Sequence, residues 1–158
     1  HPALFKELVP IIISNPQIVF NIEIKSQRWN NFIILKSLIN TTPLENLKNQ
    51  CIISSFNIML LYQLKFQFSY CYSMAYILAS KKINNWGAIA FNKILICFLK
   101  PHFFHMNIKY LTSPLVSWAH NRKMFINTYT VNDVNTVKKC IDLNVDGIFT
   151  DNEDLYIS

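Results

Sequence analysis

Met124 to Asp151 reads MFINTYTVNDVNTVKKCIDLNVDGIFTD. Phe125-Ile126-Asn127-Thr128-Tyr129 is aromatic and β-branched in the manner of a short strand. Asp133 can then cap a helix whose apolar residues Val134, Val137, Cys140 and Ile141 share one side. Asn144 follows the last turn, where a left-handed residue is wanted and Asn is the usual substitute for Gly. Residues 145–150 read as a second buried strand. Strand, helix and strand at this spacing form a βαβ unit, so the two strands are expected to be parallel.

Upstream the same alternation recurs. Residues 3–13 suggest a short helix interrupted at Pro10, and Asn15-Pro16 a turn. Residues 18–25 form a strand whose faces separate. Ile18, Phe20, Ile22 and Ile24 lie on one side, where outer helices would cover them. Val19, Asn21, Glu23 and Lys25 lie on the other and grow more polar toward the carboxyl end. A helix over 29–39 would bury Phe32, Leu35, Leu38 and Ile39. Residues 51–56 read as a strand, followed by a helix from about Met59. Residues 68–93 give little signal, and 94–99 read as the next strand. Ser113-Pro114 opens a further helix, with Pro at its first position. Five strands separated by helices, with no hairpin signal, predict an α/β fold with parallel strands.

The 158 residues are enough for one domain with a real core, but few for a complete (β/α)8 barrel of about 250 residues. Half of the chain is hydrophobic, which excludes disorder. Two glycines stand against eighteen asparagines, so turn positions that Gly usually takes must be filled by Asn or not at all. The net charge of +6 is scattered lysine without a run or stripe. It reads as a solvated basic surface, with no nucleic-acid partner. Cys51, Cys71, Cys97 and Cys140 lack metal-ligand spacing and read as buried thiols of a reducing, cytoplasmic compartment. No leader segment is visible, and the opening His1-Pro2 in place of Met leaves the true start open. The longest apolar stretch, 56–79, contains Lys65 and several polar residues, so no membrane span is expected.

Tyr-Thr-Val-Asn at 129–132, followed by Val-Asp-Gly-Ile-Phe-Thr-Asp at 145–151, resembles the last two strands of the glycerophosphodiester phosphodiesterase (GDPD) family, at that family's separation. The resemblance implies an incomplete TIM (β/α)8 barrel, strands four to eight with their helices. Residues 1–158 are then one partial barrel domain without strands one to three. Asn-Ile-Glu-Ile-Lys at 21–25 is similar to the family's Glu-x-Lys strand. There the Glu is one of several carboxylates that hold a divalent cation, and the Lys contacts the phosphate. Hard cations such as Mg²⁺ and Ca²⁺ take carboxylate oxygens, and a diester phosphate needs its charge neutralised before attack. On spacing alone, Glu23 and Lys25 are better read as a plain ion pair. With the resemblance, Glu23 becomes a candidate metal ligand and Lys25 a candidate phosphate contact.

Ser54-Ser55-Phe56-Asn57 matches the family's Ser-Phe, which implies that Phe56 is an apolar wall beside the substrate's glycerol and that the Ser hydroxyl ties down backbone. Phe56 as plain core is the alternative. Tyr129 is implied as a second wall at the barrel mouth. Asp151 stands at the family's closing Asp and is read as a loop-fixing acceptor. The family's Gly after the helix at 113–122 is Lys123 here, and its frequent Pro after the final Thr-Asp-x is Glu153.

The largest departure concerns catalysis. The family's His-Arg-Gly, its further metal carboxylates Glu and Glu-x-Asp, and its His-Asp have no counterpart. Its two histidines are the general acid and base. His1 precedes Pro2, and His102, His105 and His120 are read as surface or strand-end residues. The chain thus carries no catalytic residue and an incomplete cation site. The expected reaction is metal-dependent hydrolysis of glycerophosphodiesters to glycerol phosphate and an alcohol. The alternatives are an inactive truncated or decayed fragment, or one half of a split enzyme that needs an N-terminal partner chain. Exposed strand edges predict self-association.

Overall fold

The computed structural model describes residues 5–41, 47, 49–67, 73–78 and 94–155. The chain divides into two compact units, His1–Met74 and Ala75–Ser158. Every described strand pair is parallel, and helices alternate with strands along the chain. This is the α/β arrangement that the sequence predicts. Among the described residues no helix is long and apolar enough to cross a membrane.

The first unit holds α1 (Phe5–Ser14), β1 (Phe20–Glu23), α2 (Phe32–Thr41), β2 (Cys51–Ser55) and α3 (Ile58–Gln67). β1 and β2 pair in register from Phe20 opposite Cys51 to Glu23 opposite Ser54. The expected two faces of β1 are present. Phe20, Ile22 and Ile24 are half-buried, with Phe20 and Ile22 packed on Ile12, Leu47 and Cys51, while Asn21, Glu23 and Lys25 are exposed. β2 is buried along its whole length. Helix α1 runs through Pro10 and is not interrupted there. Its far end is held by Ile12, which is buried, and by the Gln50 amide, which donates to the Ile12 and Asn15 carbonyls. Those anchors outweigh one missing helical hydrogen bond. On α2 only Leu35 of the expected stripe is fully buried, and Phe32 is exposed.

The second unit carries nearly all of β3 (Met74–Leu78), α4 (residues 94–99), β4 (Phe103–Asn107), α5 (Ser113–His120), β5 (Phe125–Tyr129), α6 (Val134–Asp142) and β6 (Gly147–Ile148). The register runs Ile77, His105, Asn127, Gly147 across β3 to β6. One face of these strands meets α5: Tyr76 stacks on Phe104 at 6.2 Å between ring centres, and Phe104 meets Trp118 edge-on at 6.4 Å. Asp133 caps α6 by accepting from the Thr136 amide at 2.9 Å, and Asn144 ends it at φ 57°, both as expected. Val137 and Cys140 pack inward with Val131, but Val134 and Ile141 are exposed. The inward stripe of α6 is narrower than the predicted one, because those two residues lie on its flanks.

Three expectations about strands fail, the first being the buried strand over 145–150: β6 is Gly147–Ile148 and only half-buried. Residues 94–99 are helical, with Ile96 and Leu99 buried and Ile94 and Phe98 exposed, which is an i, i+3 burial pattern. The strands in this part of the chain are 74–78 and 103–107, so the described residues contain six strands and not five.

Candidate active site

In the first unit the exposed face of β1 presents Asn21, Glu23 and Lys25 in order toward the strand's carboxyl end. Lys25 Nζ lies 4.0 Å from Glu23 Oε1, with the lysine side chain 83% exposed and the glutamate 31%. That pair is loose and solvated, so it contributes little to stability and leaves the ammonium available. Ser54, in register with Glu23 on the neighbouring strand, projects to the same face. Its Oγ is buried and has no hydrogen-bond partner among the described residues. Phe56 follows β2 directly and is 39% exposed, so it is not plain core.

The two strand ends are tied together. Ser55 Oγ donates to the Ile24 carbonyl at 2.7 Å and accepts from the Asn57 amide at 3.1 Å. Asn57 has a further role that sequence reasoning missed. Its Oδ1 accepts from the Met59 and Leu60 amides at the start of α3, and its Nδ2 donates to the Ser26 and Arg28 carbonyls at 3.1 and 2.8 Å. Buried Asn31 meets Gln63 Oε1 through its backbone amide, and Gln63 Nε2 donates to the Trp29 carbonyl. The loop after Lys25 is thereby fastened to α3 by side-chain amides. An Asn directly before a helical run was the available signal.

In the second unit the strand face opposite α5 carries Phe103, His105 and Asn107 on β4, and Phe125, Asn127 and Tyr129 on β5. Tyr129 stands at the carboxyl end of β5, and its hydroxyl donates to the Leu78 carbonyl at 3.2 Å. Just beyond it, Asn132 Oδ1 accepts from the Asp151 amide at 2.9 Å, and its Nδ2 donates to Asp151 Oδ2 at 3.4 Å. Asp151 is thus tied to the loop that follows β5.

The histidines differ from expectation in one case. His105 is neither a surface nor a strand-end residue: it lies in mid-β4, 1% exposed, with its ring edge-on to Phe149 at 4.9 Å. Burial pushes its pKa down to about 4. A neutral imidazole held that far below neutral pH is a poor proton shuttle. His120 Nε2 lies 2.8 Å from Asp146 Oδ2, which also accepts from the Ile126 amide near the start of β5, at the end of the strand away from Tyr129.

The described residues do not by themselves complete a divalent-cation site. Mg²⁺ and Ca²⁺ take about six to eight oxygen ligands, commonly including more than one carboxylate. Among the described residues no group of three acidic, His or Cys side chains converges, and Glu23 has only Lys25 as its charged neighbour on β1.

The sequence model of the glycerophosphoryl diester phosphodiesterase family matches residues 5–155. Among solved structures, a proposed glycerophosphoryl diester phosphodiesterase from Silicibacter pomeroyi superposes with a TM-score of 0.76 at 16% identity, over 95% of this chain and 53% of that one. An Oleispira antarctica phosphodiesterase, solved in complex with the product sn-glycerol-3-phosphate, gives 0.68 at 18% identity, over 93% and 56%. A glycerophosphodiester phosphodiesterase from Parabacteroides distasonis gives 0.61 at 18%, over 84% and 52%. No curated protein matches. The chain therefore spans little more than half the length of these structures. The likeness gives the fold class as α/β, an incomplete TIM (β/α)8 barrel. With a family match over nearly its whole length, the chain belongs to the glycerophosphoryl diester phosphodiesterase family.

Proposed function

We propose that this chain supplies the phosphate-binding side of a glycerophosphodiester-hydrolysing site, in glycerol and lipid metabolism, and does not complete the reaction alone. The observation that carries this reading is the Glu23–Lys25 pair, solvent-exposed at the carboxyl end of β1, with its following loop fastened by Ser55, Asn57 and Asn31. Lys25 would place its ammonium against a phosphate oxygen and offset the charge that repels a nucleophile. Phe56 offers an apolar surface to the glycerol carbons. Tyr129 is the family's second wall residue by resemblance. Glu23 would be one ligand among several for Mg²⁺ or Ca²⁺, and the remaining ligands would have to come from outside the described residues.

Hydrolysis also needs a base to take a proton from water and an acid to give one to the leaving alcohol. His105 is buried and held neutral, and the His120–Asp146 pair lies at the end of β5 away from Tyr129. Neither suits that work. Either a complementary N-terminal segment provides the proton-transfer pair, or the chain is a non-catalytic relative. Calorimetric titration with sn-glycerol 3-phosphate tests the binding half of the proposal. Saturable binding that Lys25→Ala weakens by about tenfold supports it. Binding indifferent to that substitution would remove Lys25 from the phosphate.

A further inference from the structure

At the amino-terminal ends of β4 and β5 the second unit has an open cavity of about 450 Å³ that no part of the diesterase reading uses. Lys100, Arg122 and Lys123 line it with Asn121, over an apolar floor that includes Ile96, and the exposed thiol of Cys97 opens onto it. Among the described residues the lining contains no carboxylate, and none lies within ion-pair distance of the three cations. Arg122 is fixed in place: its guanidinium sits 4.6 Å from the Trp118 ring centre and donates to the Trp118 carbonyl at 3.3 Å. Lys100 and Lys123 follow the ends of α4 and α5 at φ 47° and 59°. Gly or Asn would hold that left-handed backbone without the steric strain that Lys incurs. Both strained lysines line the same cavity. Helix carboxyl ends oppose an anion, but two such ends carry only about −0.5 charge each, against three full positive charges.

We propose that this cavity binds a phosphate-bearing anion of small-molecule size. Its volume falls within the range of about 300–1,000 Å³ usual for ligand pockets. The apolar floor would accept the organic part while the three cations and the Asn121 amide take the phosphate oxygens. The site lies at the opposite ends of the strands from Tyr129 and does not depend on the diesterase reading.

Cys97 serves as a local reporter. Its alkylation by iodoacetamide, followed by peptide mass spectrometry, is measured with and without sodium pyrophosphate. Pyrophosphate is expected to protect Cys97 in the native chain and equally in Lys25→Ala. The double variant K100N/K123N removes two charges and relaxes the backbone, so it keeps its fold. Its pyrophosphate concentration for half-protection should rise by about tenfold or more. Protection by phosphatidic-acid vesicles without protection by pyrophosphate would place the phosphate on a lipid headgroup instead of a soluble molecule. No protection by either probe, or full protection in the double variant, overturns the proposal.

Discussion

His105 lies against the edges of Phe103 and Phe149, with Asn127 Nδ2 3.3 Å from its Nε2. Burial lowers its pKa from 6.5 to about 4. The unfolded chain therefore takes up the proton first as pH falls. The stability linked to this group is complete above pH 6.5 and is lost as pH drops toward about 4, a difference of roughly 3 kcal/mol. Urea unfolding midpoints measured across that range should fall with acid, and His105→Gln should flatten the acid limb. An unchanged limb in the variant would place the sensitivity elsewhere. His105 was misread because His and Met are weak strand signals. Its burial owes much to Phe149, a contact from a distant segment that the local pattern Phe103-Phe104-His105-Met106-Asn107 does not show. Asp133 and Asn144 were legible because capping and left-handed turns depend on single residues acting locally.

Elements whose identity depends on packing were harder to read. Ile94-Leu95-Ile96-Cys97-Phe98-Leu99 is a short apolar run, and its composition alone does not separate strand from helix. The partners that bury Ile96 and Leu99 decide it. β3 gave no readable boundary, although every one of its residues is buried. β1 and β5 were legible because one side of each is polar enough for the period of two to show. Pairing of β5 with β6 has a specific weak point. A Cβ added at Gly147 would lie 2.6 Å from Asn127 Oδ1. Gly147→Ala is expected to displace the Asn127 amide from His105 and destabilise the chain by about 1–3 kcal/mol. Thermal unfolding checks this; a melting temperature equal to the native chain's would mean that the amide moves freely.

For the whole molecule, the described strand edges bear on the proposed partnership with a further segment. β1 pairs with β2, and β6 with β5; among the described residues no other strand pairs with either. Ile18 and Val19, just before β1, are 44% and 58% exposed. Such an edge favours addition of a further strand. The chain alone is expected to self-associate at micromolar concentration in size-exclusion chromatography with light scattering, and a stable monomer would mean the edges are protected. The family and the parallel α/β plan were legible because their motifs are contiguous. Ser54's orphan hydroxyl and the amide network around Asn57 were not, since both arise from contacts between distant segments. The proposed division of labour puts phosphate binding in this chain and proton transfer outside it. Its most direct test is product release from glycerophosphocholine by the isolated chain with Mg²⁺ or Ca²⁺. No product above a no-enzyme control is expected, and turnover at the rate of a complete family member would show that this chain carries its own proton-transfer groups.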